Sequence, residues 1–201
     1  GVVARSLLSI SYFLMLQALM SQSVWTLFFF MLESLGEMSL GVASISRSVY
    51  NVLFIPIISY GTAVRTTTGQ LMGADAADEI APYLHRASRL SLGTAAVLAA
   101  LVSLFASSVL RVFTDDPALI TAAVPSMRVL CLSFVIASVG NMYFHAVGGV
   151  GSTQKVFRIE LSGNIFYLLY AVAMVYLLRA PIAVCFTVEA IYFGIIAIRS
   201  Y

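Results

Sequence analysis

The sequence predicts an all-α integral membrane protein with six transmembrane helices, and three observations carry that reading. First, long stretches contain no Asp, Glu, Lys or Arg: from Ser6 to Leu32, Leu90 to Leu110, Val129 to Gln154, and Leu161 to Leu178. About 20 apolar residues suffice to cross a bilayer, because the hydrocarbon core is ~30 Å thick and a helix rises ~1.5 Å per residue. Second, 61% of the 201 residues are hydrophobic and only 10% are charged, well below the ~25% charged of a soluble domain. Third, the apolar runs are continuous, whereas a membrane β-barrel would alternate in polarity over ~10-residue segments. Soluble enzymes and nucleic-acid-binding domains are excluded, and the lipid bilayer is the first partner.

Taken in order, the first span covers about 6–32, and a short loop from Ser34 to Leu40 carries Gly36 and Glu37. The second covers about 41–64 and the third about 90–113. Between them Arg65 to Arg89 is the longest polar segment, with Asp75, Asp78 and Glu79 first and His85, Arg86 and Arg89 last. That order complements a helix macrodipole and predicts a short surface helix with Pro82 at a turn or break. Asp116-Pro117 is a start signal, an N-cap followed by a proline where no N–H is needed. The fourth span follows over about 117–147 with Pro125 near its start, and Gly148 to Thr153 reads as a loop. The fifth covers about 159–178, Arg179-Ala180-Pro181 turns the chain, and the sixth covers about 182–198.

Cys131 and Cys185 lie in apolar stretches without metal-ligand or disulfide spacing, and read as small buried hydrophobes. The chain begins with Gly1 and ends at Tyr201 close to spans, which predicts a piece of something longer. Basic residues set the orientation. Arg5, Arg65, Arg86, Arg89, Lys155, Arg158 and Arg199 share one side; Arg47, Arg111 and Arg179 share the other with Glu33, Glu37, Asp115 and Asp116. The positive-inside rule then places both ends in the cytoplasm of a plasma membrane, a bacterial inner membrane.

Three loop signatures are more specific: Gly69-Gln70-Leu71-Met72-Gly73-Ala74 after a proline-containing span, Phe113-Thr114-Asp115-Asp116-Pro117 at the opposite face, and Gly148-Gly149-Val150-Gly151-Ser152-Thr153 closing the fourth span. As an ordered set they resemble the second half of multidrug and toxic compound extrusion (MATE) transporters. The resemblance implies a C-terminal six-helix lobe of a two-lobe, twelve-helix transporter, with the N-terminal lobe outside this chain. It also implies cation/drug antiport by alternating access. A proton or sodium ion would move inward as coupling ion, a small organic, often cationic and amphipathic compound would leave, and no other cofactor is needed. One departure stands out. The places of the family's carboxylates in this lobe fall near Ser21 and near Ala137 or Ser138, and none of these is acidic.

Ionisable residues inside a bilayer cost several kcal/mol and are functional suspects by default. Glu189, flanked by apolar residues in the sixth span, is the leading coupling candidate, followed by His145 and Glu160. Against that stand plainer readings: a structural hydrogen bond from Glu189 to a neighbouring tyrosine or arginine, an interfacial histidine, and an ion pair of Glu160 with Arg158 or Lys155. Ser133, Ala137, Asn141 and His145 recur every four residues and share a face; Glu160, Asn164 and Tyr167 form a similar stripe. Gln17, Ser21, Ser138, Asn141, Asn164 and Tyr167 are the candidates for lining a substrate cleft. Arg128 is expected to snorkel outward or to pair with Asp115 or Asp116.

Three other readings compete. A flippase for lipid-linked sugars would need a basic cleft, for which only Arg128 and Arg47 are at hand. An intramembrane enzyme would need a constellation such as His-Glu-x-x-His, which is absent. A non-transporting scaffold is opposed by the polar stripes.

Overall fold

A computed structural model describes the backbone of residues 2–201 and the side chains of residues 11, 12 and 15–201. The expected placement of Arg5 therefore lies outside the described side chains, as does anything at Gly1. The chain folds as helices throughout, and six segments of the described residues are long and apolar enough to cross a bilayer.

α1 (Val2–Glu33) is followed by a reversal at Ser34–Gly36, where Gly36 adopts φ 106°, a left-handed conformation that favours glycine. α2 (Glu37–Gly73) runs 37 residues through Pro56. A 3₁₀ turn (Ala77–Glu79) leads into α3 (Ile80–Leu104), and after a break at Phe105 comes α4 (Ala106–Leu110). α5 (Pro117–Gly149) begins at the predicted cap, with the Asp116 carboxylate accepting the Ala118 N–H at 2.9 Å. α6 (Thr153–Val172) ends in a π-helical turn (Ala173–Leu177). α7 (Ile182–Cys185) and α8 (Thr187–Ser200) complete the sixth span with a one-residue break at Phe186.

Two boundaries differ from the sequence reading, for one reason. α2 is ~55 Å long at the standard rise, far more than the ~30 Å hydrocarbon core. Its last turns, from Arg65 to Gly73, are therefore a continuation of the helix and not a loop. α3 likewise starts at Ile80, ten residues before the predicted edge, and stops at Leu104. The polar segment is thus two projecting helix ends joined by a short turn, and no separate surface helix exists there. Asp78 and Glu79 still complement a macrodipole, that of α3 itself. At the other signature Gly148 and Gly149 belong to α5, and the loop shrinks to Val150–Ser152.

α5 is the hub. It packs on α2, α3 and α8, while α1 lies outermost against α6 and α2. Glycines set the closest approaches. A Cβ on Gly149 would fall 2.6 Å from the Arg65 carbonyl oxygen, and one on Gly69 would fall 3.2 Å from the Gly149 carbonyl oxygen. Two of the loop signatures therefore meet in space, at the crossing of α2 and α5. Leu90, Val97, Leu101 and Leu104 remain exposed along α3, as a lipid-facing helix requires. Cys131 and Cys185 are buried and unpaired.

Candidate functional site

The first turn of α8 places Glu189 inside the lobe, 2% exposed. Its Oε1 accepts a hydrogen bond of 3.1 Å from the Tyr167 hydroxyl of α6. Tyr167, a predicted cleft residue, is itself buried among Trp25, Phe28 and Tyr192, with ring centroids 5.5–6.2 Å apart. Such edge-on and tilted aromatic contacts fix the phenol and so its aim at the carboxyl.

Glu189 lines a pocket of about 330 Å³ together with Trp25, Arg47, Tyr50, Phe54 and Phe193. The Arg47 guanidinium lies over Trp25, its central carbon 3.3 Å from the ring centroid, a cation–π contact across α1 and α2. Arg47 and Glu189 attract one another across the pocket without forming a direct ion pair. Arg47 Nη1 and the Tyr50 hydroxyl are both buried and both lack a hydrogen-bond partner. The site therefore holds one acid, one base and two unsatisfied polar groups within aromatic walls.

Arg47, which the sequence groups with the outer-side arginines, sits ten residues into α2, about 15 Å from the helix start. Trp25 and Tyr50 were not singled out either. In the sequence Arg47 stands between Ser46 and Ser48, so it lacks the apolar flanks that mark Glu189.

Glu160 lies in a second polar cluster. It is 5% exposed, its Oε1 accepts a hydrogen bond from the Ser21 hydroxyl of α1, and Gln17 lies beside it. The expected pairing with Lys155 or Arg158 is not formed, because both of those face outward while Glu160 faces α1. Glu160 Oε2 and Asn164 Nδ2, one turn further on, are buried without partners. Ser21 is thus joined to an acid supplied by the neighbouring helix.

His145 is half-buried, and its ring fills the space beside Gly61, where a Cβ would fall 2.5 Å from the imidazole. Its Nδ1 and the Asn141 Oδ1 are buried and unpartnered. Ser138 departs furthest from its predicted place. It is fully buried, its hydroxyl donates to the Val135 carbonyl at 2.7 Å, and its own carbonyl accepts from Ser91 at 3.1 Å. It locks α5 to α3 and faces no cleft. Arg128 is exposed on α5, as snorkelling requires, and among the described residues it pairs with neither Asp115 nor Asp116.

The structure resembles three solved ones. Against an outward-facing multidrug resistance MATE family transporter of the MOP superfamily the TM-score is 0.87 at 13% identity, covering 96% of this chain and 43% of that one. Against a MATE protein in complex with MaL6 it is 0.75 at 18% identity, covering 91% and 43%. Against a MOP superfamily transporter from Pyrococcus furiosus, described as having a binding pocket of reverse polarity that suggests a different function, it is 0.77 at 17% identity, covering 95% and 42%. The chain therefore spans less than half the length of these structures, and the likeness shows the fold of a single lobe. No curated protein matches the chain. The family model described as MatE matches residues 14–174, so a multi-pass membrane chain whose helices pack as a MATE half-transporter belongs to the MatE family.

Proposed function

We propose that this chain is one lobe of a secondary active efflux transporter, an antiporter that exports organic, often cationic and amphipathic compounds by alternating access. A second, N-terminal lobe completes the central cleft, and a proton or sodium ion moving inward drives the cycle, with the proton preferred here. The observation that carries this reading is Glu189, a carboxyl buried within a helix apolar enough to span a membrane and lining a pocket. Proton coupling needs a group that binds a proton at one face and releases it at the other, and a buried carboxyl can serve as one.

The groups facing Glu189 are Tyr167 from α6, Arg47 and Tyr50 from α2, and Tyr192 from its own helix. Glutamine at that position would keep size and hydrogen bonding but could not ionise. In the transporter carrying both lobes, Glu189→Gln is expected to remove the pH dependence of substrate export while leaving folding intact. Normal transport with an unchanged pH profile would place coupling elsewhere.

The orientation belongs to the same proposal. Cysteines introduced at Ala77 or Ser152 are expected to react with membrane-impermeant reagents only from the cytoplasm, and those at Ser39 or Ala118 only from outside. The reverse pattern would sink it. A flippase for lipid-linked sugars is disfavoured, since Arg128 is exposed on α5 while Arg47 is held against Trp25 and faces an acid.

A further inference from the structure

The pocket between α1, α2 and α8 holds two opposite charges that face each other and do not touch. We infer that it is a binding site for a small aromatic zwitterion, whose carboxylate docks on Arg47 and Tyr50 and whose ammonium docks on Glu189. This rests on the reading of the pocket as part of the transport path, and it names the substrate class that reading leaves open.

Each feature of the site points to one part of such a ligand. Arg47 Nη1 and the Tyr50 hydroxyl are unpartnered donors, and both residues line the pocket. Buried donors left unpaired are costly, and a carboxylate is the group that satisfies a guanidinium and a phenol together. The guanidinium is already held over Trp25 at 3.3 Å, so less freedom is lost when an anion binds it. Glu189 has one oxygen held by Tyr167 and faces the same space. Its charge would repel a simple anion, while Arg47 would repel a simple cation. A zwitterion answers both charges at once. The volume of about 330 Å³ lies at the small end of ligand pockets, which suits one ring and not a polycyclic compound. Walls of Trp25, Phe54 and Phe193 supply the surface on which that ring rests.

Trp25 makes the test direct, because it is the one tryptophan of the 201 residues and lies in the pocket wall. The full chain in lipid nanodiscs would be titrated with 4-nitrophenylalanine, its methyl ester and its N-acetyl derivative. These are a zwitterion, a cation and an anion with one nitroaromatic ring that quenches tryptophan fluorescence. The zwitterion is expected to bind at least about 10-fold more tightly than either singly charged form. Arg47→Gln should erase its advantage over the ester, and Glu189→Gln its advantage over the acetylated form. Arg128→Gln, which removes an exposed arginine of α5, should change neither ratio.

Equal or tighter binding of the ester would overturn the inference, as would ratios that survive Arg47→Gln in a protein whose unfolding midpoint is unchanged. If Arg47→Gln does not fold, the three-ligand comparison in the unaltered chain decides alone. Binding is read without any ion gradient. A zwitterion preference in a protein whose export ignores pH would therefore refute only the coupling reading, and pH-coupled export without that preference would refute only this one.

Discussion

Glu189 and Glu160 are both buried carboxyls on the inner faces of membrane helices, and their surroundings differ in kind. Glu189 has a phenol as donor, an arginine facing it and an open pocket beside it. Glu160 has neutral neighbours, Ser21 and Gln17. Burial is common to both acids, and the counter-charge is what separates them, since it permits a change of charge without leaving an isolated ion in a low dielectric.

The strongest way to break the comparison is to remove the counter-charge. Arg47→Ala would leave Glu189 facing no cation and strip the cap from Trp25, and a loss of ~3 kcal/mol is expected in unfolding titrations of the purified chain. The double variant Arg47→Met/Glu189→Gln should recover most of it. A double variant as unstable as the single one would show that Arg47 acts by packing, and the contrast between the two acids would lose its electrostatic basis.

The next test acts on α2, which carries Arg47 but nothing of the Glu160 cluster. Gly149→Ala pushes a methyl group against the Arg65 backbone, so the α2–α5 crossing must open, at a cost of ~2 kcal/mol. Gly93→Ala, which meets nothing within 4 Å, should be neutral or gain up to ~1 kcal/mol. Quenching of Trp25 should weaken with the first and not with the second.

A smaller effect is expected at the other acid. Ser21→Ala removes the donor to Glu160 Oε1 when Oε2 already lacks a partner, and ~1 kcal/mol of stability should be lost in the same titrations. The smallest effect sharpens the comparison most. Glu160→Gln in the complete transporter is expected to leave the pH profile of export as it was. A profile flattened to the degree expected of Glu189→Gln would make the two acids equivalent and remove the distinction.

The helical fold was legible because bilayer thickness imposes a length that composition reveals directly, and the Asp116-Pro117 start needs only local chemistry. Glu189 was legible for a related reason, as an acid with no polar neighbours in sequence. Arg47 is less legible, because Ser46 and Ser48 beside it suit a helix end as well as a buried charge. The ends of α2 and α3 were misread since polarity marks where a helix leaves the bilayer, not where it stops. The union of Ser21 with Glu160 spans 139 positions and depends on how α1 lies against α6, which no local pattern encodes. Ser138 is singled out by the family resemblance, which gives a place along α5 but not the helix it meets, and here it packs against α3.

The wide turn that ends α6 has a consequence for how its loop is aimed. There the Leu178 N–H reaches back five residues to Ala173, and the Ala180 N–H reaches six, to Met174. Such a turn accommodates one residue more than a regular helix would, and each residue of a regular helix turns the chain by about 100°. The inserted residue works as a dial: it sets the compass bearing at which Arg179, at φ 44°, and Pro181 leave the helix and hand the chain to α7. Shortening the Ala173–Leu177 segment by one residue would regularise the helix and swing that exit by a quarter-turn or more. The strand of sequence leading to Glu189 would then set off in the wrong direction, although every residue around the pocket was unchanged.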